Sequence, residues 1–199
     1  MITEHDVVRA LQELHAGRPI VLPTDTVYGI AALPANPDGV AAVFAAKGRP
    51  DDKPLPVLGA SVKDLEAVAE LDASARVLAG AFWPGPLTLV VPRADNLEWH
   101  LGSGASTIAI RIPRCDIALR VLEQSGPLAV TSANRSGHSP ATTAAEARAA
   151  LGDAVNVYLD GGRRAGVIST VVSLISGPRV LRTGAIVESD IAQALQKEA

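Results

Sequence analysis

Short aliphatic runs alternate along this chain with stretches of helical spacing, and that alternation constrains the fold more than any other feature. The runs Ile20-Val21-Leu22, Leu87–Val91, Thr107–Ile112, Leu128–Thr131 and Thr170–Ile175 are each one buried strand long. Pro54–Leu58, Val155–Leu159 and Arg179–Leu181 are further strand candidates. Between them, Thr3 can cap a helix with Val7, Val8, Leu11 and Leu14 on one face up to Gly17. Further helices are expected over Asp38–Lys47 (closed by Gly48), after Ser61 with Asp64 completing a capping box, and over Ala73–Phe82, Asp116–Gln124, Thr143–Leu151 and Ser189–Gln196. Helices alternating with strands predict the α/β class, an open sheet with helices on its faces.

The 199 residues suit one domain, and no Gly/Pro-rich stretch is long enough to be a linker. Hydrophobic residues make up 48% and charged ones 20%, which favours a packed globule over disorder. The formal net charge of −3 argues against a domain that grips nucleic acid mainly through phosphates, so any RNA contact is expected to be local, transient or made by a partner. One cysteine, Cys115, excludes an internal disulfide, and the four histidines show no ligand spacing, so no protein metal cage is expected. The N-terminus carries charges throughout, and no apolar run reaches a membrane span. The expectation is a cytoplasmic protein without membrane contact.

Four polar clusters follow strands or close helices, where open α/β sheets place ligands. In Pro23-Thr24-Asp25-Thr26-Val27-Tyr28-Gly29, an extended backbone would turn Thr24 and Thr26 to one side and Asp25 to the other. An ordinary strand-to-turn corner reads the same way. Lys47-Gly48-Arg49-Pro50, with Lys53 behind it, is either a phosphate clamp or a solvated helix end whose lysine meets the helix dipole. In Thr131-Ser132-Ala133-Asn134, Ser132 and Asn134 can reach one ligand, or serve plain turns. The loop running on to Pro140 is a candidate lid, and His138 within it reads better as solvated than as a base. Arg111 interrupts the apolar strand that Thr107 opens; it needs an anionic partner if buried there, and on an edge strand it would reach water instead. Cations and neutral hydroxyls outnumber acids in these clusters, which suits a ligand carrying phosphates and a carboxylate.

The succession Pro23–Gly29, Lys47–Pro50, Ser106-Thr107-Ile108-Ala109-Ile110-Arg111-Ile112-Pro113, Thr131-Ser132-Ala133-Asn134 with Ser136-Gly137, then Ser169-Thr170-Val171-Val172 strongly resembles the YrdC-like family. The likeness covers about residues 20–186. It implies a single-domain, open, twisted mixed sheet over residues 1–199, with flanking helices and a concave basic face. The activity it implies is threonylcarbamoyl-AMP synthesis from ATP, L-threonine and bicarbonate, for threonylcarbamoylation of tRNA position 37 by a downstream transferase complex. By the same resemblance, Lys47, Arg49, Ser132 and Asn134 form the catalytic set. Thr26, Arg111, Ser132 and Ser169 hold threonine, with Arg111 on its carboxylate. Lys47, Arg49, Lys53, Thr107, Asn134, Thr142 and Arg182 hold the nucleotide, and Mg²⁺ arrives on the triphosphate.

Two departures stand out. Leu58 occupies a position where many relatives have a histidine, and the chain lacks the extra C-terminal domain of longer relatives, which implies the short form. The chemistry implied is a carbamate attacking the α-phosphorus and expelling pyrophosphate. Such a step needs positioning and preorganised cations, not a protein nucleophile. The alternatives are an RNA-binding module of the same fold without catalysis, and carbamoyl transfer to another acceptor.

Overall fold

Local signals place most elements, and the computed structural model follows them over residues 2–50, 53–95, 97–102 and 106–197, the residues it describes. Helix α1 (Glu4–His15) starts at Thr3, whose hydroxyl accepts from Asp6 N while Asp6 reaches back to Thr3 N. Helix α2 (Pro37–Lys47) ends at Gly48 in the left-handed region, φ 57°, a conformation glycine adopts without a Cβ penalty. Helices α3 (Val62–Glu66), α4 (Ala73–Phe82), α5 (Asp116–Ser125), α6 (Ala144–Leu151) and α7 (Glu188–Gln196) sit where capping and spacing put them.

The strands are β1 (Ile20–Pro23), β2 (Tyr28–Ala32), β3 (Val57–Leu58), β4 (Leu87–Pro92), β5 (Thr107–Arg111), β6 (Leu128–Ser132), β7 (Val157–Tyr158), β8 (Thr170–Ser173) and β9 (Arg179–Arg182). They form one mixed sheet in the order β7-β1-β2-β6-β3-β5-β4-β8-β9. Three expectations need correction. Sequence reading missed β2, because Ile30-Ala31-Ala32 is a short, small-residue run without turn punctuation ahead of it. The strand expected over Pro54–Leu58 keeps only its last two residues, since the prolines at 54 and 56 cannot donate to a ladder. Residues 25–27 form a bend, not an extended segment.

One sheet face is covered throughout. Val21, Ile30, Val57, Ala129, Ile110, Leu89 and Val172 pack there beneath α2, α3, α4, α6 and α7. The other face is covered over one half only: Ile20, Leu22, Ala31, Leu58, Leu128 and Val130 meet Val7 and Leu14 of α1 and Val121 and Leu122 of α5. Over β5, β4 and β8 the same face carries Thr107, Ala109, Arg111, Thr88, Val90, Val171 and Ser173, and among the described residues no helix lies on it. A layer that stops halfway leaves a concave step, and the polar clusters converge on it. Among the described residues, no helix is long and apolar enough to cross a membrane.

Candidate functional site

A cavity of about 220 Å³ opens at that step, lined by residues of every polar cluster. Thr26, Arg111, Ser132 and Ser169, the expected amino-acid set, all line it, as do Arg49 and Arg182 from the nucleotide set.

The Arg111 end is tightly built. Arg111 is 5% exposed; its Nη2 donates to Asp25 Oδ1 at 2.5 Å, its Nη1 to the Thr26 hydroxyl at 3.2 Å and its Nε to Gly85 O at 2.9 Å. Burial pulls its pKa down, and the Asp25 carboxylate opposes that pull. Asp25 Oδ1 also accepts from Arg114 N at 3.1 Å, so one carboxylate ties the bend after β1 to the end of β5 and the start of α5. The bend itself closes on Thr24, whose hydroxyl accepts from the amides of Thr26 and Val27. The missing extension therefore does not part Thr24 from Thr26: their hydroxyls lie 2.9 Å apart.

The Lys47 end is held by main chain. Lys47 is 3% exposed and its ammonium donates to the carbonyls of Ser132 and, at 2.6 Å, Asn134. Burial first, and then Arg49, lower its pKa to about 8. Ser136 N donates back to Lys47 O, so the C-terminus of α2 and the loop after β6 are stitched together. Arg49 donates to Lys53 O at 2.8 and 3.1 Å through Nη2 and Nε. Asn134 gives its amide hydrogens to the carbonyls of Arg135 and His138 and leaves Oδ1 buried without a donor among the described residues. Those bonds brace the loop read as a lid, and His138 is exposed with its ring against Ser136 O, outside the cavity lining.

Arg182 closes the far side. Its guanidinium donates to Ser169 O and to the Ser169 hydroxyl at 3.0 Å, and burial lowers its pKa. Lys53 is exposed and off the cavity wall. Thr142 sits at the start of α6, its hydroxyl donating to Glu146 and accepting from Arg163. Thr107 opens the strand that Arg111 closes, so about 13 Å separate them; it borders a second hollow with Val90, Ser173 and Arg179. Because β3 is parallel to β5 and antiparallel to β6, Ser132 lies toward the Thr107 end. Thr107 and Ser132 thus lie toward one end of the strand axis and Arg111, Ser169 and Arg182 toward the other, so each expected set spans both ends, with small Ala109 on the same face between Thr107 and Arg111.

Two further wall residues bear on the site, and of these Thr88 went unassigned in the sequence. Thr88 is a lone hydroxyl within aliphatic β4, the same kind of signal that singled out Arg111. Leu58, in place of a histidine, lines the cavity and makes that part of its wall apolar. Gly29 also lines it; a Cβ there would meet Val130 Cγ1 at 2.6 Å.

The Sua5/YciO/YrdC family model, described as telomere recombination, matches residues 12–184. A Mycobacterium tuberculosis relative, to which threonylcarbamoyl-AMP synthase activity is assigned provisionally, is 45% identical over 198 residues, covering 97% of this chain and 90% of its own. The threonylcarbamoyl-AMP synthase of Pyrococcus abyssi is 39% identical over 186 residues, 92% of this chain and 55% of its own. The solved P. abyssi Sua5 complexed with L-threonine superposes with a TM-score of 0.93 at 37% identity, over 98% of this chain and 58% of that one.

Proposed function

The chain belongs to the Sua5/YciO/YrdC family, and from that premise we propose that it is a threonylcarbamoyl-AMP synthase, joining L-threonine, bicarbonate and ATP into the mixed anhydride with release of pyrophosphate. The observation that carries the reading is the convergence of Arg111, Thr26, Ser132, Ser169, Arg49 and Arg182 on one cavity, with Lys47 buried behind the wall and bonded to the Ser132 carbonyl. Residues as far apart in the chain as Thr26 and Arg182 meet there, and their chemistry matches the ligands.

Arg111 keeps two of its five N–H groups beyond those bonded to Asp25, Thr26 and Gly85, enough to pair with the amino-acid carboxylate. Lys47 and Arg49 supply positive charge where the phosphates enter, and Arg182 supplies it on the opposite wall. Nearly all the catalytic effect is assigned to positioning and to this fixed field, which favours the charge that builds up on the phosphoryl oxygens. The partly enclosed cavity keeps the labile carbamate from bulk water.

Among the described residues no group of three or more His, Cys, Asp or Glu side chains could hold a metal, and the carboxylate at the site, Asp25, is engaged by Arg111. Such a donor set does not fit a resident ion, so Mg²⁺ belongs with the triphosphate as part of the substrate. The adenylate then passes to a tRNA-modifying transferase complex, and the net charge of −3 restricts direct tRNA contact to a local patch.

Pyrophosphate release from ATP tests the proposal. It should require threonine and bicarbonate together, and equal release with threonine omitted would sink it. Tight tRNA binding without ATP turnover would favour the non-catalytic RNA-binding alternative.

A further inference from the structure

Two hydroxyl pairs line the cavity, and counting their hydrogens separates them. In the first, Thr24 donates to Val27 O at 2.7 Å, so the 2.9 Å bond between the hydroxyls needs Thr26 as donor. Thr26 in turn accepts from Arg111. Both hydrogens of that pair are committed inside the protein. In the second pair, Thr88 and Ser169 share one bond at 2.9 Å, and the Ser169 oxygen also accepts from Arg182 Nη2. Two hydrogens serve one bond, so one O–H has no acceptor among the described residues. Thr88 is 4% exposed and Ser169 6%, and a buried donor without an acceptor is unfavourable until a ligand satisfies it.

The direction of the second pair follows from the charge on Arg182. A charged donor on the Ser169 oxygen makes the Ser169 O–H the stronger donor of the two. The chain of bonds then runs from Arg182 to Ser169 to Thr88, and the Thr88 hydrogen is the one left over. Leu58, Val130 and Ile168 line the same cavity with aliphatic surface. A substrate carbon carrying one methyl and one hydroxyl can satisfy both kinds of wall.

We propose that Thr88 reads the side-chain hydroxyl of the amino-acid substrate, oriented for it by Ser169 and Arg182. The assignment rests on the threonine reading above and adds a specificity-determining residue to it. A substrate hydroxyl accepts the spare hydrogen and can donate to a remaining lone pair. A methyl in the same place does neither and leaves the Thr88 O–H stranded.

Calorimetric titration with L-threonine and L-valine, which differ by that hydroxyl, tests this without requiring turnover. The wild-type protein should bind threonine at least about tenfold more tightly than valine, the size of one good hydrogen bond. Thr88→Val, which keeps a β-branched strand former in β4, should lose most of that ratio, and Thr88→Ser should restore it. Ser169→Ala should weaken the ratio less, because Thr88 keeps its hydroxyl. An unchanged ratio in Thr88→Val would overturn the proposal. Equal affinity of the wild type for the two amino acids, binding of neither, or loss of the ratio in Ser169→Ala alone would do so as well. Pyrophosphate release is read separately: a wild type that discriminates the hydroxyl but does not turn over ATP would remove the synthase reading and leave Thr88 its role.

Discussion

Arg111 and Lys47 are both buried cations, one on the cavity wall and the other behind it against Ser132, yet they are held in opposite ways. Arg111 has a carboxylate, a hydroxyl and a carbonyl around it, and Asp25 balances its charge before any ligand arrives. Lys47 has two carbonyl oxygens and a neighbouring arginine, so its charge is solvated by dipoles but not cancelled. The first arrangement fixes a recognition fork in place; the second stores a positive field for an anion to complete. An adenylating site needs both, because one substrate must be oriented and the other stabilised as its charge shifts.

The largest test of the contrast is Arg111→Met. It leaves Asp25, whose side chain is 13% exposed, without its charged partner, and should cost about 3–5 kcal/mol of stability in denaturant unfolding. A loss under about 1 kcal/mol would mean the pair is not balanced in the way described.

Next in size are the two cations at the other end. Arg49→Ala should lower turnover on the order of a hundredfold with little change in melting temperature, since its guanidinium reaches the Lys53 carbonyl of an exposed turn. Lys47→Ala should lower both, because the Ser132 and Asn134 carbonyls lose a donor, at about 1–3 kcal/mol for each one left unsatisfied. Full turnover in Arg49→Ala would remove the clamp from the mechanism. For Lys47 the structure adds a share in stability to the catalytic role that the family resemblance implies.

The smallest effect is on pH. With Lys47 lowered to about 8, turnover should fall as its ammonium deprotonates above that value. The sign for stability is opposite. Between about 8 and 10.5 the unfolded chain binds more protons at this residue than the folded one, so its contribution to stability rises with pH. Activity and unfolding profiles that diverge in this window, and converge in Lys47→Met, would confirm that one group underlies both.

Much of this was legible along the chain. Thr3 with Asp6, Ser61 with Asp64, and Gly48 after α2 are local devices whose geometry depends on a few neighbouring residues, so their positions could be read directly. Arg111 was legible because a charge amid isoleucines must find a partner. Its partner was not, because Asp25 lies 86 positions away and meets it only through the fold. Thr88 gave the same local signal and was passed over, since a threonine suits a strand well enough to raise no question.

What the sequence determined by itself was the element order, the α/β class and the residue types at the site, because hydrophobic period, capping and turn chemistry act over one or two turns of chain. Tertiary structure alone decided where the second helical layer stops, which cation is neutralised, and which hydroxyl keeps a spare hydrogen. Those outcomes depend on desolvation and on partners brought together from distant segments. Lys47 and Ser132 are 85 residues apart in the chain, and only packing puts an ammonium against that carbonyl.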